Sequence, residues 1–204
     1  MRARTAARSA WHQFVSVELV HFSQRPTMSW KNGLGVTTQL AIHPAGATAD
    51  AFEWRVSVAK VEGSAAFSVF PAIARWLAIL QGEMTLMRDG HAPVTLNEAS
   101  APVSFSGVVS AEGSVIRGPA FDLNLMYRPS RWHAVMRRVN ASAGVLVSEG
   151  APVMFCARTA CRIAIDGERL EVEPFDFVRT DHDARFLATS AIDGYVIELR
   201  ERDP

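Results

Sequence analysis

The chain has 204 residues, enough for one large or two small domains and for burying about 70% of the surface that the unfolded chain exposes. Hydrophobic residues make up 49% and charged residues 21%, which excludes long disordered tracts. Lys plus Arg and Asp plus Glu both number 21, so the formal net charge is zero and nothing steers the chain toward nucleic acid or an anionic membrane. The group Arg128, Arg131, Arg137 and Arg138 reads as a solvated basic face. Cys156 and Cys161 lie in an apolar run and read as reduced thiols, without the further ligands that zinc needs. Arg2, Arg4 and Arg8 are followed by no apolar run of signal-peptide length, and no window reaches the ~18 apolar residues of a membrane span. The expected location is the cytoplasm.

Residues 1 to 12 read as a loose arm. The first regular element is expected over Phe14 to Phe22, stopped by Pro26. Asn32-Gly33 favours the positive φ of a tight turn, and Val36-Thr37-Thr38-Gln39-Leu40 after it is β-prone. A loop through Pro44 and Gly46 leads to Phe52–Ala59. There Phe52, Trp54, Val56 and Val58 share one face of an extended strand, and Glu53, Arg55, Ser57 and Ala59 share the other. Phe67-Ser68-Val69-Phe70-Pro71 reads as a bend that turns two aromatics inward. Arg75 to Met87 is apolar on both faces, as in a sandwich or barrel interior, and Asp89-Gly90 closes it into a hairpin. Phe121, Leu123, Leu125 and Tyr127 then alternate with Asp122, Asn124 and Met126, repeating the polar ladder of the Arg55 strand. Short strands follow at Gly144–Val147, Val153–Ala157, Arg162–Ile165, Leu170–Val172, Phe175–Thr180, Phe186–Thr189 and Tyr195–Arg200. Regularly spaced short strands with few helical stretches predict an all-β sandwich or barrel, here two closely packed β units.

Reactive β-barrels often carry a metal on histidines. The six histidines, His12, His21, His43, His91, His133 and His182, show no His-x-His spacing, and no metal or other cofactor is expected. Phosphate loops, dinucleotide fingerprints and nucleophile elbows are absent. What remains is Arg55, Ser57, Asp122 and Asn124, with Asn32, Thr37 and Arg75 as rim donors. Arg offers bidentate hydrogen bonds to a carboxylate, Ser and Asn add neutral donors, and Asp can receive an N–H. This set predicts a small-carboxylate pocket with no catalytic residue. An alternative is a metal-free isomerase or hydrolase in which Asp122 or Glu53 moves a proton. A further alternative is structural, with Arg55 and Asp122 pairing with each other. Trp30, Trp54, Phe67 and Trp76 read as core.

At these residues the sequence resembles the HutD/Ves family of cupin-like proteins. The matching pieces are Trp30-Lys31-Asn32-Gly33-x-Gly35-x-Thr37, Trp54-Arg55-x-Ser57-x-Ala59, Phe67-Ser68-x-Phe70-Pro71 with Arg75, Phe105-Ser106-Gly107, and Asp122-Leu123-Asn124-x-Met126 with Arg128. The resemblance implies a bicupin, two packed jelly-roll-like β-barrel units at 14–128 and 129–204, with the pocket in the first. It also implies a homodimer without a metal triad, and a non-catalytic regulatory role in histidine utilisation through binding a small acid such as formylglutamate. Leu34 stands where a third glycine is expected. Ala72 and Ala74 replace a glycine and an aspartate, the latter change removing a charge near the expected pocket.

Overall fold

A computed structural model of the chain describes residues 17–30, 33–48 and 51–202. Apart from one 3-10 turn at Phe22–Gln24, the regular elements are antiparallel β-strands in two sheets. The first strand, β1 (Val17–Val20), is followed by β2 (Thr27–Ser29), β3 (Gly35–His43), β4 (Trp54–Val61) and β5 (Ser64–Ala66). Next come β6 (Ala74–Arg88), β7 (His91–Asn97), β8 (Val103–Ser106) and β9 (Ala111–Tyr127). The remaining strands are β10 (Trp132–Ala141), β11 (Leu146–Ala157), β12 (Cys161–Ile165), β13 (Glu168–Val172), β14 (Phe177–Ala188) and β15 (Ile192–Glu201).

The first sheet runs β2-β3-β4-β9-β6-β7, with β5 on β9 and β8 on β6. The second runs β10-β15-β11-β14-β12-β13 and takes β1 onto β14. Neither sheet closes on itself among the described residues, since the end strands β2 and β7, and β10 and β13, are not paired.

Three apolar clusters explain the arrangement. One is drawn wholly from the first sheet and its loops, including Val61, Leu77, Ile79, Met84, Leu86 and Phe105. A sheet that buries a face against its own strands must curl, and bulges supply the bend. The β6–β9 register shifts between Ile79 and Met84, where Gly82 takes φ +91°. A Cβ at Gly82 would stand 2.7 Å from the Pro119 carbonyl oxygen, so only glycine fits. A second cluster, around Phe155, Ile163, Val178 and Phe186, belongs wholly to the second sheet. The third joins the two, with Trp54, Val56, Val58, Leu123 and Leu125 of the first sheet against Met136, Cys156, Phe177, Tyr195 and Ile197 of the second.

The strand phase follows the alternation in the sequence. Phe52 apart, the apolar face of the Arg55 strand meets the other sheet, and its polar face turns into the curl of its own sheet. Several boundaries differ from expectation. Ala111–Tyr127 is one long strand, and Phe175–Thr180 and Phe186–Thr189 are ends of a single strand, β14. The basic group is not a bare solvated face. Arg131 pairs with Glu53 and Glu201, Arg137 with Glu198, and Arg138 with Asp193, most of them on strand β10.

Candidate functional site

Residues directly opposite one another in neighbouring antiparallel strands share a face with Cβ atoms about 5 Å apart. The register of β4, β9 and β6 therefore builds three rungs on the inner face of the first sheet. Arg55 lies opposite Met126, which lies opposite Arg75. Ser57 lies opposite Asn124, and Ala59 opposite Asp122. On the far edge of β4, Gln39 and Thr37 of β3 face Ser57 and Ala59. Two sequence-distant polar ladders thus become adjacent.

The ladder forms the floor of a cavity of about 550 Å³ whose lining includes Thr37, Arg55, Ser57, Arg75 and Asn124. Asp122 is fully buried behind them. Its Oδ1 accepts a hydrogen bond from the Asn124 side-chain amide, while Oδ2 and the Asn124 Oδ1 have no partner. Burial pushes the Asp122 carboxyl up to about 7, against the opposing pull of that hydrogen bond and of the Arg75 charge. Asn32 lies outside the described residues.

The two arginines differ. Arg75, expected at the rim, is buried, with 4% of its surface exposed. Its guanidinium donates to the Ser68 carbonyl oxygen and sits 5.2 to 6.0 Å from the centroids of Phe67, Phe70 and Phe105. Burial lowers it to about 10, with Asp122 acting the other way. Arg55 is half-buried and also held below its ordinary value by desolvation, yet it makes no hydrogen bond or ion pair among the described residues, and its Nε is buried without a partner. The Arg55–Asp122 pair of the structural alternative is absent. The two side chains stand two rungs apart, and Arg75 is the cation that Asp122 feels.

The aromatics divide. Trp54 and Trp76 pack into or against the core between the sheets, as expected. Trp30 and Phe67, expected as core, also line the cavity, joined by Phe70 and Met126. Trp30 Nε1 donates to Thr37 Oγ1 at 2.8 Å, which fixes the indole over β3. A Cβ at Gly35 would meet that indole at 3.0 Å and the Lys60 carbonyl oxygen at 2.6 Å, so glycine lets the ring settle there. Ala74, whose missing charge was expected to matter for the pocket, points to the opposite face and packs against the core between the sheets. Among the described residues no three His, Cys, Asp or Glu side chains gather as metal ligands. Two guanidiniums against one carboxylate repel a divalent cation, so this floor does not fit a metal. No helix among the described residues is long and apolar enough to cross a membrane.

The family model described as HutD matches residues 23–196. The chain belongs to the HutD family. An uncharacterized 21.2 kDa protein from the hutC 3' region of Pseudomonas putida is 30% identical over 156 residues, which are 76% of this chain and 81% of that one. The solved structure of HutD from Pseudomonas fluorescens SBW25, in a formate condition, covers 92% of this chain and 100% of its own, with 27% identity and a TM-score of 0.76. At 7% identity, a cupin 2 conserved barrel domain protein from Leptotrichia buccalis shares the fold, with a TM-score of 0.58 and 94% of this chain covered. This HutD-family chain is therefore an all-β, cupin-like protein.

Proposed function

We propose that this HutD-family protein is a non-catalytic regulator of histidine utilisation that binds a small carboxylate such as formylglutamate in the cavity of its first sheet. The single observation that carries the reading is Arg55, a partly desolvated cation on a cavity floor with no counter-charge of its own. Such a group is costly to bury unless something completes it, and a carboxylate does so with charge-assisted hydrogen bonds. Ser57 and the Asn124 amide stand on the adjacent rung to receive the same group. The hut names of the relatives support the pathway. The finer architecture in this reading is a bicupin with units at 14–128 and 129–204, cytoplasmic and homodimeric.

Calorimetry with formylglutamate, urocanate, glutamate and histidine tests it. Saturable binding is expected for at least one acid, and Arg55→Ala weakens it by about 1.5 to 3 kcal/mol, roughly 10- to 150-fold in Kd. Unchanged affinity removes Arg55 from the site, and loss of folding in the variant favours a purely structural ladder.

A second reading, a metal-free isomerase or hydrolase, draws on Asp122, whose carboxyl titrates near neutrality as a general acid or base does. Turnover of one of these acids that disappears in Asp122→Asn would establish it.

A further inference from the structure

Strand β5 ends at Ala66 and β6 begins at Ala74. The chain between them runs along the cavity as a strap, with Phe67, Ser68 and Phe70 in the wall. Backbone hydrogen bonds pin this strap at both ends. The Phe67 N–H donates to the Ala111 carbonyl oxygen at 2.9 Å, the Phe70 N–H to that of Gly107 at 2.8 Å, and the Gly107 N–H to that of Ile73 at 2.7 Å. A Cβ at Gly107 would stand 2.6 Å from the Phe70 carbonyl oxygen, so a side chain there would push the two backbones apart. Between the pins the strap has less support. Val69 is 55% exposed, and Ser68 and Val69 make one hydrogen bond among the described residues, in which the Ser68 carbonyl oxygen accepts from the Arg75 guanidinium.

That guanidinium lies beneath the strap, 5.8 Å from the Phe67 ring centroid, 5.2 Å from that of Phe70 and 6.0 Å from that of Phe105 on β8. A buried cation is costly unless something engages it, and here the strap does so through a carbonyl and two rings. Arginine suits the place because its flat fork donates to a carbonyl and stacks on rings at once, which a lysine ammonium does not match. Arg55 has the opposite character, a guanidinium on the same floor with no acceptor among the described residues. One arginine is engaged by the protein and the other is free for a ligand.

Resting on the carboxylate-binding reading above, we propose that Arg75 is a positioning residue: it fastens the middle of the strap, holds Phe67 and Phe70 in place as a wall of the cavity, and leaves the ligand's carboxylate to Arg55. The wall then meets whatever follows that carboxylate. Phe67 and Phe70 share the lining with Trp30 and Met126, so methylenes of a bound acid gain in proportion to the apolar area they bury there. An acid with no such tail gains nothing from the wall. Freeing the strap therefore costs selectivity among acids, whereas losing a direct contact to the carboxylate would weaken every acid by a similar factor.

The protein without ligand gives the first readout. Arg75→Met keeps much of the side-chain volume and removes the buried charge, an exchange that proteins often tolerate without loss of stability. Amide hydrogen exchange at Phe67 and Phe70 should speed by roughly tenfold or more, the size of one hydrogen bond to a charged group, with protection unchanged in β4 and β9. Binding gives the second readout, with acetate and hexanoate as probes. The parent protein should hold hexanoate the more tightly, and Arg75→Met should lose most of that preference. If this variant does not fold, Arg75→Lys, which keeps the charge but not the flat fork, takes its place with the same expectations, and failure of both to fold overturns the inference. Unaltered exchange at Phe67 and Phe70, or an equal loss of affinity for the two acids, also overturns it and leaves the carboxylate reading standing. If neither probe binds and no acid in the calorimetric panel above does, that reading falls, and the exchange measurement alone decides the role of Arg75.

Discussion

Ala72 sits at φ +60°, a left-handed conformation that costs an alanine roughly 1–2 kcal/mol. The family resemblance leads one to expect glycine there, and the backbone shows why. Ala72→Gly should raise stability by up to about 1 kcal/mol, the released strain less the greater chain entropy of glycine. Chemical denaturation checks this, and a variant no more stable than the parent would mean that the turn adapts without strain. Asp122 makes a second expectation at this scale. Its folded value lies above the unfolded one, so the native state holds a proton that the unfolded chain has released. Stability should fall as pH rises from about 4 to about 7, by as much as about 4 kcal/mol, and level off above. Asp122→Asn should lack that slope in urea titrations at several pH values. Arg55, Ser57, Asp122 and Asn124 were legible in the sequence because strict alternation forces alternate residues onto one face. The depth of Arg75 was not, because exposure depends on the Phe67–Pro71 bend and on β8, which pack over it.

At the scale of single elements, β1 shows how a short strand is held. Four residues pair with β14, from Val17 opposite Thr180 to Val20 opposite Phe177. Just beyond, the buried Asp176 carboxylate accepts the backbone N–H of Phe22 at 2.8 Å and of Glu173 at 3.2 Å, and meets His21 Nδ1 at 2.9 Å. Asp176→Ala leaves those donors unmet and should cost about 2 to 4 kcal/mol. Hydrogen exchange should show Val17–Val20 losing protection first, and uniform loss across both sheets would mean that the carboxylate serves the whole molecule. Strand existence was readable from alternation and turns, as the Asp89-Gly90 hairpin between β6 and β7 shows. Strand length was readable for β6 but not for β9 and β14, which run on through glycine, proline or charged residues that read as breaks. Strand β10 was hidden because its Arg137 and Arg138 look solvated until their acidic partners Glu198 and Asp193 on β15 are placed.

Across the whole molecule, the two sheets are coupled by more than apolar contact. The buried Tyr195 hydroxyl of β15 donates to the Ile79 carbonyl oxygen of β6 at 2.9 Å, across the shared core. Tyr195→Phe keeps the ring and strips the donor, so it should cost about 1 to 2 kcal/mol. Unfolding should remain one transition by near-UV and far-UV circular dichroism. A split into two transitions would mean that this bond, and not the packed cluster around it, joins the halves. The all-β class was visible in the spacing of strands and turns. The pairing of β1 with the second sheet was not, because a contact between His21 and Asp176, 155 residues apart, leaves no local pattern.

That contact also sets a timetable. At about 5–20 residues per second on the ribosome, β1 emerges on the order of 10 to 30 seconds before the partner it needs. The first sheet can be completed in that interval, while Val17, Leu19 and Val20 stay uncovered until β14 arrives.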